Sequence, residues 1–374
     1  MRSTLRTRLI VCALAVVLAA SGCSSSGSSG SSGGSGSSGG SGTNSAGGGS
    51  GGATYTAAEV AAATGGYDVK PLFAVPKQLP KKYRLAFLNP GLSYPYFATW
   101  SAGMKAAAKF YGVDLDELDL NFNYDTELTQ YQQEAVKYPD VIGSQVMNEA
   151  TYNQATKDGT KIVLIDGTFQ NVPHFGVDDQ QVGKLAIDTM ASAAKAEMSG
   201  AWKGKTVDVV GLTSPNCAPC DARVKASFAE AESVLGIPAS RTTMLTPQGQ
   251  DPTTSAGSTF NDFLTAHPND AVLVVSYGDE PVIGSINAAK AANRGSDVLA
   301  VSSGGDSAAR LALRDPSNKG ILVAAIDFQP YAEGWNWVEA AIATAMGKSF
   351  GTFAVDRVLT AANVDKYYPE DKTQ

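Results

Sequence analysis

Histidine is nearly missing: His174 and His267 are the only two in 374 residues. That leaves no material for a histidine-rich metal site and little for histidine acid/base chemistry, so neither a metal nor another cofactor is expected. Positive charge is also short, with 29 Lys+Arg against 36 Asp+Glu and a formal charge of −7. Three of those cations, Arg2, Arg6 and Arg8, lie in the first 22 residues, which contain no acid, so the remainder is more acidic still. An acidic body argues against nucleic acid as a partner, because phosphate binding needs a basic surface. The apolar run at residues 10–20 falls well short of the ~20 residues that a membrane-crossing helix requires. Nothing resembles a P-loop. Cysteine is scarce, at Cys12, Cys23, Cys217 and Cys220.

What is present begins with an address. Three arginines, then the short apolar run, then Ala20-Ser21-Gly22-Cys23 resemble a bacterial lipoprotein signal, with Ala20 where Leu is usual. This implies a signal peptide over 1–22, lipid on Cys23, and an extracytoplasmic protein held to the membrane by that lipid. An ordinary secretory signal with a chance cysteine is the alternative. Residues 24–52 are almost wholly Gly and Ser and cannot build a core. The stretch 23–54 therefore reads as a tether, with an r.m.s. span of roughly 30 Å for about 30 residues. Residues 55–82 follow as an N-terminal extension.

From residue 83 short apolar runs alternate with helical patterns. Strands are expected at 83–88, 113–120, 141–147, 161–166 and 174–177. Helices are expected from Pro95 to a stop at Gly112, and at 126–137 and 149–157. The same grammar restarts, with strands at 206–212, 242–245, 271–277, 297–302 and 321–326. Helices are expected there at 221–235, 253–266 and 280–292. Near-continuous apolar strands joined by helices imply parallel sheets covered on both faces. Two such runs imply two α/β lobes; a single sheet would need about ten strands, the upper end of what open sheets tolerate. Trp335 and Trp337 sit at spacing two on a helix, so one of them is expected in the core.

Ligands of open α/β sheets bind beyond the C-terminal strand ends. Those ends carry acids, aromatics and glycines, suited to accept hydroxyls, stack on sugar C–H faces and let backbone approach. Tyr96 and Phe97 are candidate walls of an interlobe cleft, although Phe97 also starts an apolar helix face. Asp166 either binds ligand or caps the next turn. Asp279 and Asp306 either bind ligand or open helices, where acids suit the dipole. Arg223 either balances the acidic cleft or pairs at the surface. Asp327 and Gln329 lie at a strand end beside a crossing between lobes. Cys217-Ala218-Pro219-Cys220 reads as a local disulfide, the one pair left in an oxidising compartment. The thioredoxin-like alternative has Asn216 where Trp is usual, and a metal would need two further soft ligands.

Six segments in register resemble the sugar-type periplasmic binding proteins, the ribose/galactose branch of type I solute-binding proteins. They are Asn89-Pro90-Gly91 with Tyr94-Pro95-Tyr96-Phe97, the strand ending in Asp166, Val177-Asp178-Asp179, Tyr277-Gly278-Asp279-Glu280, Ser303-Gly304-Gly305-Asp306, and Asp327-Phe328-Gln329-Pro330. The resemblance implies two Rossmann-like α/β lobes joined by a three-segment hinge, at 83–178 plus 330–352 and 179–329 plus 353–374. It also implies a catalytically inert monomer that binds a small polar, sugar-like ligand. Its partners would be the permease and ATPase of an ABC importer. Two departures, Gly167 where Arg is usual and Gly278 where Asn is usual, leave the sugar undefined. The rival readings are a sensory receptor of the same fold and a thiol–disulfide oxidoreductase using Cys217 and Cys220.

Overall fold

The computed structural model describes residues 53–215, 217–249, 251–355, 357–369 and 371. Cys23, the signal and most of the tether fall outside them. No helix among the described residues is long and apolar enough to cross a membrane.

Helix α1 (Ala57–Ala63) precedes the first sheet. That sheet contains β1 (Arg84–Asn89), β2 (Asp114–Asp119), β3 (Val141–Ser144), β4 (Lys161–Ile165) and β5 (His174–Phe175). Its order is β2-β1-β3-β4-β5, parallel throughout. The connecting helices are α2 (Pro95–Tyr111), α3 (Glu127–Ala135) and α4 (Glu149–Lys157), and α5 (Asp179–Ser199) then leaves the sheet. The second sheet contains β6 (Val207–Leu212), β7 (Thr242–Leu245), β8 (Ala271–Ser276), β9 (Val298–Gly304), β10 (Leu322–Asp327) and β11 (Arg357–Leu359). Its order is β11-β10-β9-β8-β6-β7, with only β11 antiparallel. Its helices are α6 (Ala218–Leu235), α7 (Pro252–Ala266), α8 (Asp279–Ala291), α9 (Ser307–Arg314) and the short α11 (Val364–Tyr367), while α10 (Pro330–Ala345) packs on α2, β3 and β4 of the first lobe. The fold is thus mixed α/β in two lobes rather than one large sheet.

Local chemistry explains the elements. Pro95 opens α2, where a missing N–H is harmless, and Gly112 closes it at φ 71°. Strand β2, Asp-Leu-Asp-Glu-Leu-Asp, is a half-exposed edge whose charges discourage pairing with another chain. Helices α2 and α10 cross in close contact: a Cβ on Gly103 would lie 2.1 Å from the Tyr331 carbonyl, and one on Gly334 2.1 Å from that of Trp100.

Two expectations are corrected. Helix α6 starts at Ala218, so Cys217 is its N-cap and Cys220 lies in its first turn rather than ahead of the helix; Pro219 suits that first turn. Trp335 and Trp337 are both fully buried. The reason is that α10 has no free face. Trp337 donates to the Val163 carbonyl of β4 (3.2 Å), and Trp335 donates to Glu339 (3.0 Å). Residues 53–82 cover much of what remains: Asn336 donates to the Lys70 carbonyl and Leu72 N–H to Glu339.

The chain passes between the lobes after β5, after β10 and before β11. It leaves the second sheet at Asp327 and returns at Arg357, which are register partners. Tyr67 of the N-terminal segment lies over this place, stacked on Tyr331 at 3.9 Å and edge-on to Tyr368.

Candidate functional site

The first lobe's contribution starts in the loop after β1. Asn89 fixes that loop by accepting the Gly91 N–H (3.0 Å) and donating to Glu117 (2.9 Å). Tyr94 then reaches across to the other lobe, where its hydroxyl donates to the Glu280 carboxylate. Tyr96 turns inward and donates to Glu333 on α10 (2.5 Å), with the Asp166 carboxylate 3.3 Å away. Glu333 also accepts from Trp100 Nε1 (2.7 Å) and keeps its other oxygen buried without a partner. Phe97 lies inside an aromatic cluster with Tyr94, Tyr96, Trp100 and Phe122, so its ring belongs to the core.

Asp166 follows β4 in left-handed backbone geometry (φ 58°). One of its oxygens accepts the Val177 N–H (3.0 Å), so the residue holds the first crossing as well as facing Tyr96. Burial pushes its carboxyl up to about 6, with the Val177 N–H and the Arg223 charge opposing.

The second lobe supplies Arg223 from α6. Its guanidinium forks onto Asp179 (Nη2 at 2.6 Å, Nε at 3.0 Å), donates to the Tyr277 carbonyl and covers the Phe328 ring at 4.6 Å. Phe328 in turn meets Tyr96 of the first lobe edge-on. Asp279 and Glu280 open α8, and Asp306 caps α9 through Ala308 N–H (2.8 Å) and Ala309 N–H (3.1 Å). Asp279 accepts the Asp306 N–H (2.9 Å). Capping and cleft placement are thus not alternatives for Asp306: one oxygen caps and the other is buried without a partner. Burial, then the neighbouring Asp306, pushes Glu280 up to about 8. Burial, then Asp306 and Glu280, holds Asp279 well above the ordinary aspartate range.

Asp327 and Gln329 lie at the edge of this group, where Asp327 has partners of its own. Asp327 is paired with Arg357 (2.5 Å), accepts the Tyr368 hydroxyl (2.9 Å) and takes the Gln329 N–H (2.9 Å). Its oxygens are spent on the hinge. Gln329, at φ 58°, lines a small cavity there with Tyr67, Asp68 and Tyr331. Cys217 and Cys220 form a disulfide at the start of α6, one turn before Arg223.

The structure therefore brings Tyr96, Asp166, Arg223, Asp279 and Asp306 to one interlobe seam. It adds Tyr94, Glu280, Asp179 and Glu333. Glu280 and Asp179 stand next to residues already singled out. Glu333 had no local signal, because an acid in an apolar helix reads as its exposed side.

Residues 85–349 match the family model described as "Periplasmic binding protein domain". No curated protein is detectably similar in sequence. Among solved structures, the fold is similar to an ABC transporter solute-binding protein from Mycobacterium smegmatis with bound glycerol. That match has 19% identity over 76% of this chain and 96% of that one, at a TM-score of 0.64. A periplasmic solute-binding protein from Actinobacillus succinogenes with bound D-allose gives 20% identity, 76% and 100% coverage and a TM-score of 0.63. A solute-binding protein from Bacillus halodurans with bound myo-inositol gives 16%, 77% and 98%, and 0.65. The family match spans both lobes and all but the outermost sheet strand, and on that ground the chain belongs to the periplasmic binding protein family.

Proposed function

We propose that this protein is an extracytoplasmic solute-binding lipoprotein that captures a small polar, sugar-like ligand between its lobes and presents it to an ABC importer. The observation that carries the reading is the seam itself. Polar and aromatic side chains from both lobes converge where Tyr94 bonds to Glu280 and Tyr96 meets Phe328. A ligand seated there gains contacts from both lobes only when they are together, so it shifts the open/closed equilibrium by that difference. The permease and ATPase are separate chains that receive the closed form. Cys23 carries the lipid, and the Gly/Ser tether lets the lobes stand clear of the membrane.

A thermal-shift screen of the soluble body against sugars, polyols and nucleosides tests the binding. A true ligand at 100 times Kd stabilises by about 2.7 kcal/mol. A screen in which no small polar compound moves the transition would remove the reading. For the anchor, Cys23→Ser releases the protein from membranes; continued membrane sedimentation with unchanged lipid labelling would refute lipidation.

A further inference from the structure

The seam is unbalanced in charge. Asp166, Asp179, Asp279, Glu280, Asp306 and Glu333 meet there, and the guanidinium of Arg223 is committed to Asp179 and the Tyr277 carbonyl. The imbalance is sharpest in the second lobe. Asp279, Glu280 and Asp306 are 2%, 8% and 0% exposed. Each keeps one oxygen buried without a hydrogen-bond donor in bonding geometry; the Ser302 hydroxyl stands next to Asp279, and Glu280 and Asp306 face each other. Among the described residues, no Lys, Arg or His forms an ion pair with any of the three acids.

Buried carboxylates without counter-charge are costly; the helix N-termini and backbone N–H groups offset part of that cost here, and a proton or a cation offsets the rest. A neutral sugar offers hydroxyl donors but no charge. An ammonium group offers three donors and the missing charge in a single small group. The rest of the seam suits a hydroxylated ring: the Asp166 carboxylate can accept hydroxyls, and the Tyr94, Tyr96 and Phe328 rings offer flat apolar faces. We propose that the ligand is a polyhydroxylated ring carrying a protonated amine, of the amino-sugar or aminocyclitol class, with its ammonium seated among Asp279, Glu280 and Asp306. Burial and the neighbouring Asp306, which push Glu280 up to about 8, fit a site that holds a proton when no cation is present. The inference rests on the solute-binding reading above.

The test is a calorimetric titration of the tethered body with matched triplets. Hexoses, pentoses and cyclitols are each offered as the alcohol, the primary amine and the N-acetylated amine. At least one amine should bind about tenfold or more tighter than both its partners, a difference of about 1.4 kcal/mol. The double variant Glu280→Gln with Asp306→Asn should erase that preference. It keeps an acceptor for Tyr94 and a competent helix cap. Alcohols that bind as tightly as their amines, or a preference that survives the double variant, would overturn this inference and leave solute binding standing. If no member binds, the inference falls, and the solute-binding reading is decided by the wider thermal-shift screen above. Should the double variant not fold, the ranking within the wild-type triplets decides.

Discussion

Two sets of buried acids in the second lobe face opposite circumstances. Asp327 at the hinge has Arg357, Tyr368 and the Gln329 N–H around it. Glu280 and Asp306 at the seam have one oxygen each that nothing satisfies. Burial raises the pKa of both Asp327 and Glu280. At Asp327 the Arg357 charge and the bonds from Gln329 and Tyr368 pull it back down. At Glu280 a second acid, Asp306, adds to burial, and the Tyr94 hydroxyl opposes it only in part. The difference is one of partners: Asp327 finds its own within the fold, and Glu280 and Asp306 find them only in part.

The largest expected effect falls on the hinge. Asp327→Asn takes from the buried Arg357 its close carboxylate and leaves only the exposed one of Asp68 at 3.7 Å; loss of one partner from a buried pair costs about 3–5 kcal/mol. Chemical denaturation measures this, and a loss below 1 kcal/mol would erase the contrast. Next in size is Asp166→Ala, which removes a charged acceptor from the seam. Ligand affinity should fall by about 1.5–3 kcal/mol by calorimetry, and an unchanged Kd would take Asp166 out of the site. The smallest effect belongs to the disulfide. A four-residue loop constrains the unfolded chain little, so Cys217→Ser with Cys220→Ser should leave the melting temperature nearly unchanged. Ligand affinity should drop, because the pair shapes the first turn of the helix that carries Arg223. Free thiols in unreduced protein, or full affinity in the double variant, would contradict this.

The sheets were readable because parallel strands covered on both faces write themselves as apolar runs; 161–166 and 271–277 lie within a residue of β4 and β8. Residues following those runs marked the seam, since strand ends face the cleft. What escaped was set by distant neighbours. Strand β11 is three residues long and exists only by pairing with β10 across the intervening α10. Helix α5 is the exception: no helix is expected there from the strand-and-helix pattern, yet its signal is local, with Val182, Ala186, Ile187, Met190 and Ala194 at helical spacing. Glu333 and the double burial of Trp335 and Trp337 depend on α10 being enclosed by α2, the sheet and residues 53–82. Asp327 and Asp306 look alike in sequence, as acids at strand ends. The positions of Arg357 and Tyr368 distinguish them.

The unsatisfied state of the seam acids can be measured without any ligand. An acid whose pKa is higher in the folded protein than in the unfolded chain holds a proton that the unfolded chain has already lost. Stability therefore falls as pH rises through that window. For Glu280 the window runs from about 4.5 to about 8. Chemical denaturation of the ligand-free protein and of Glu280→Gln, at intervals from pH 5 to pH 8, isolates this residue as the difference between the two curves. The account predicts that the variant gains stability relative to the wild type as pH rises, because Gln keeps the Tyr94 bond and carries no charge. A difference that stays flat, or that favours the wild type towards pH 8, would mean that Glu280 is already satisfied within the fold.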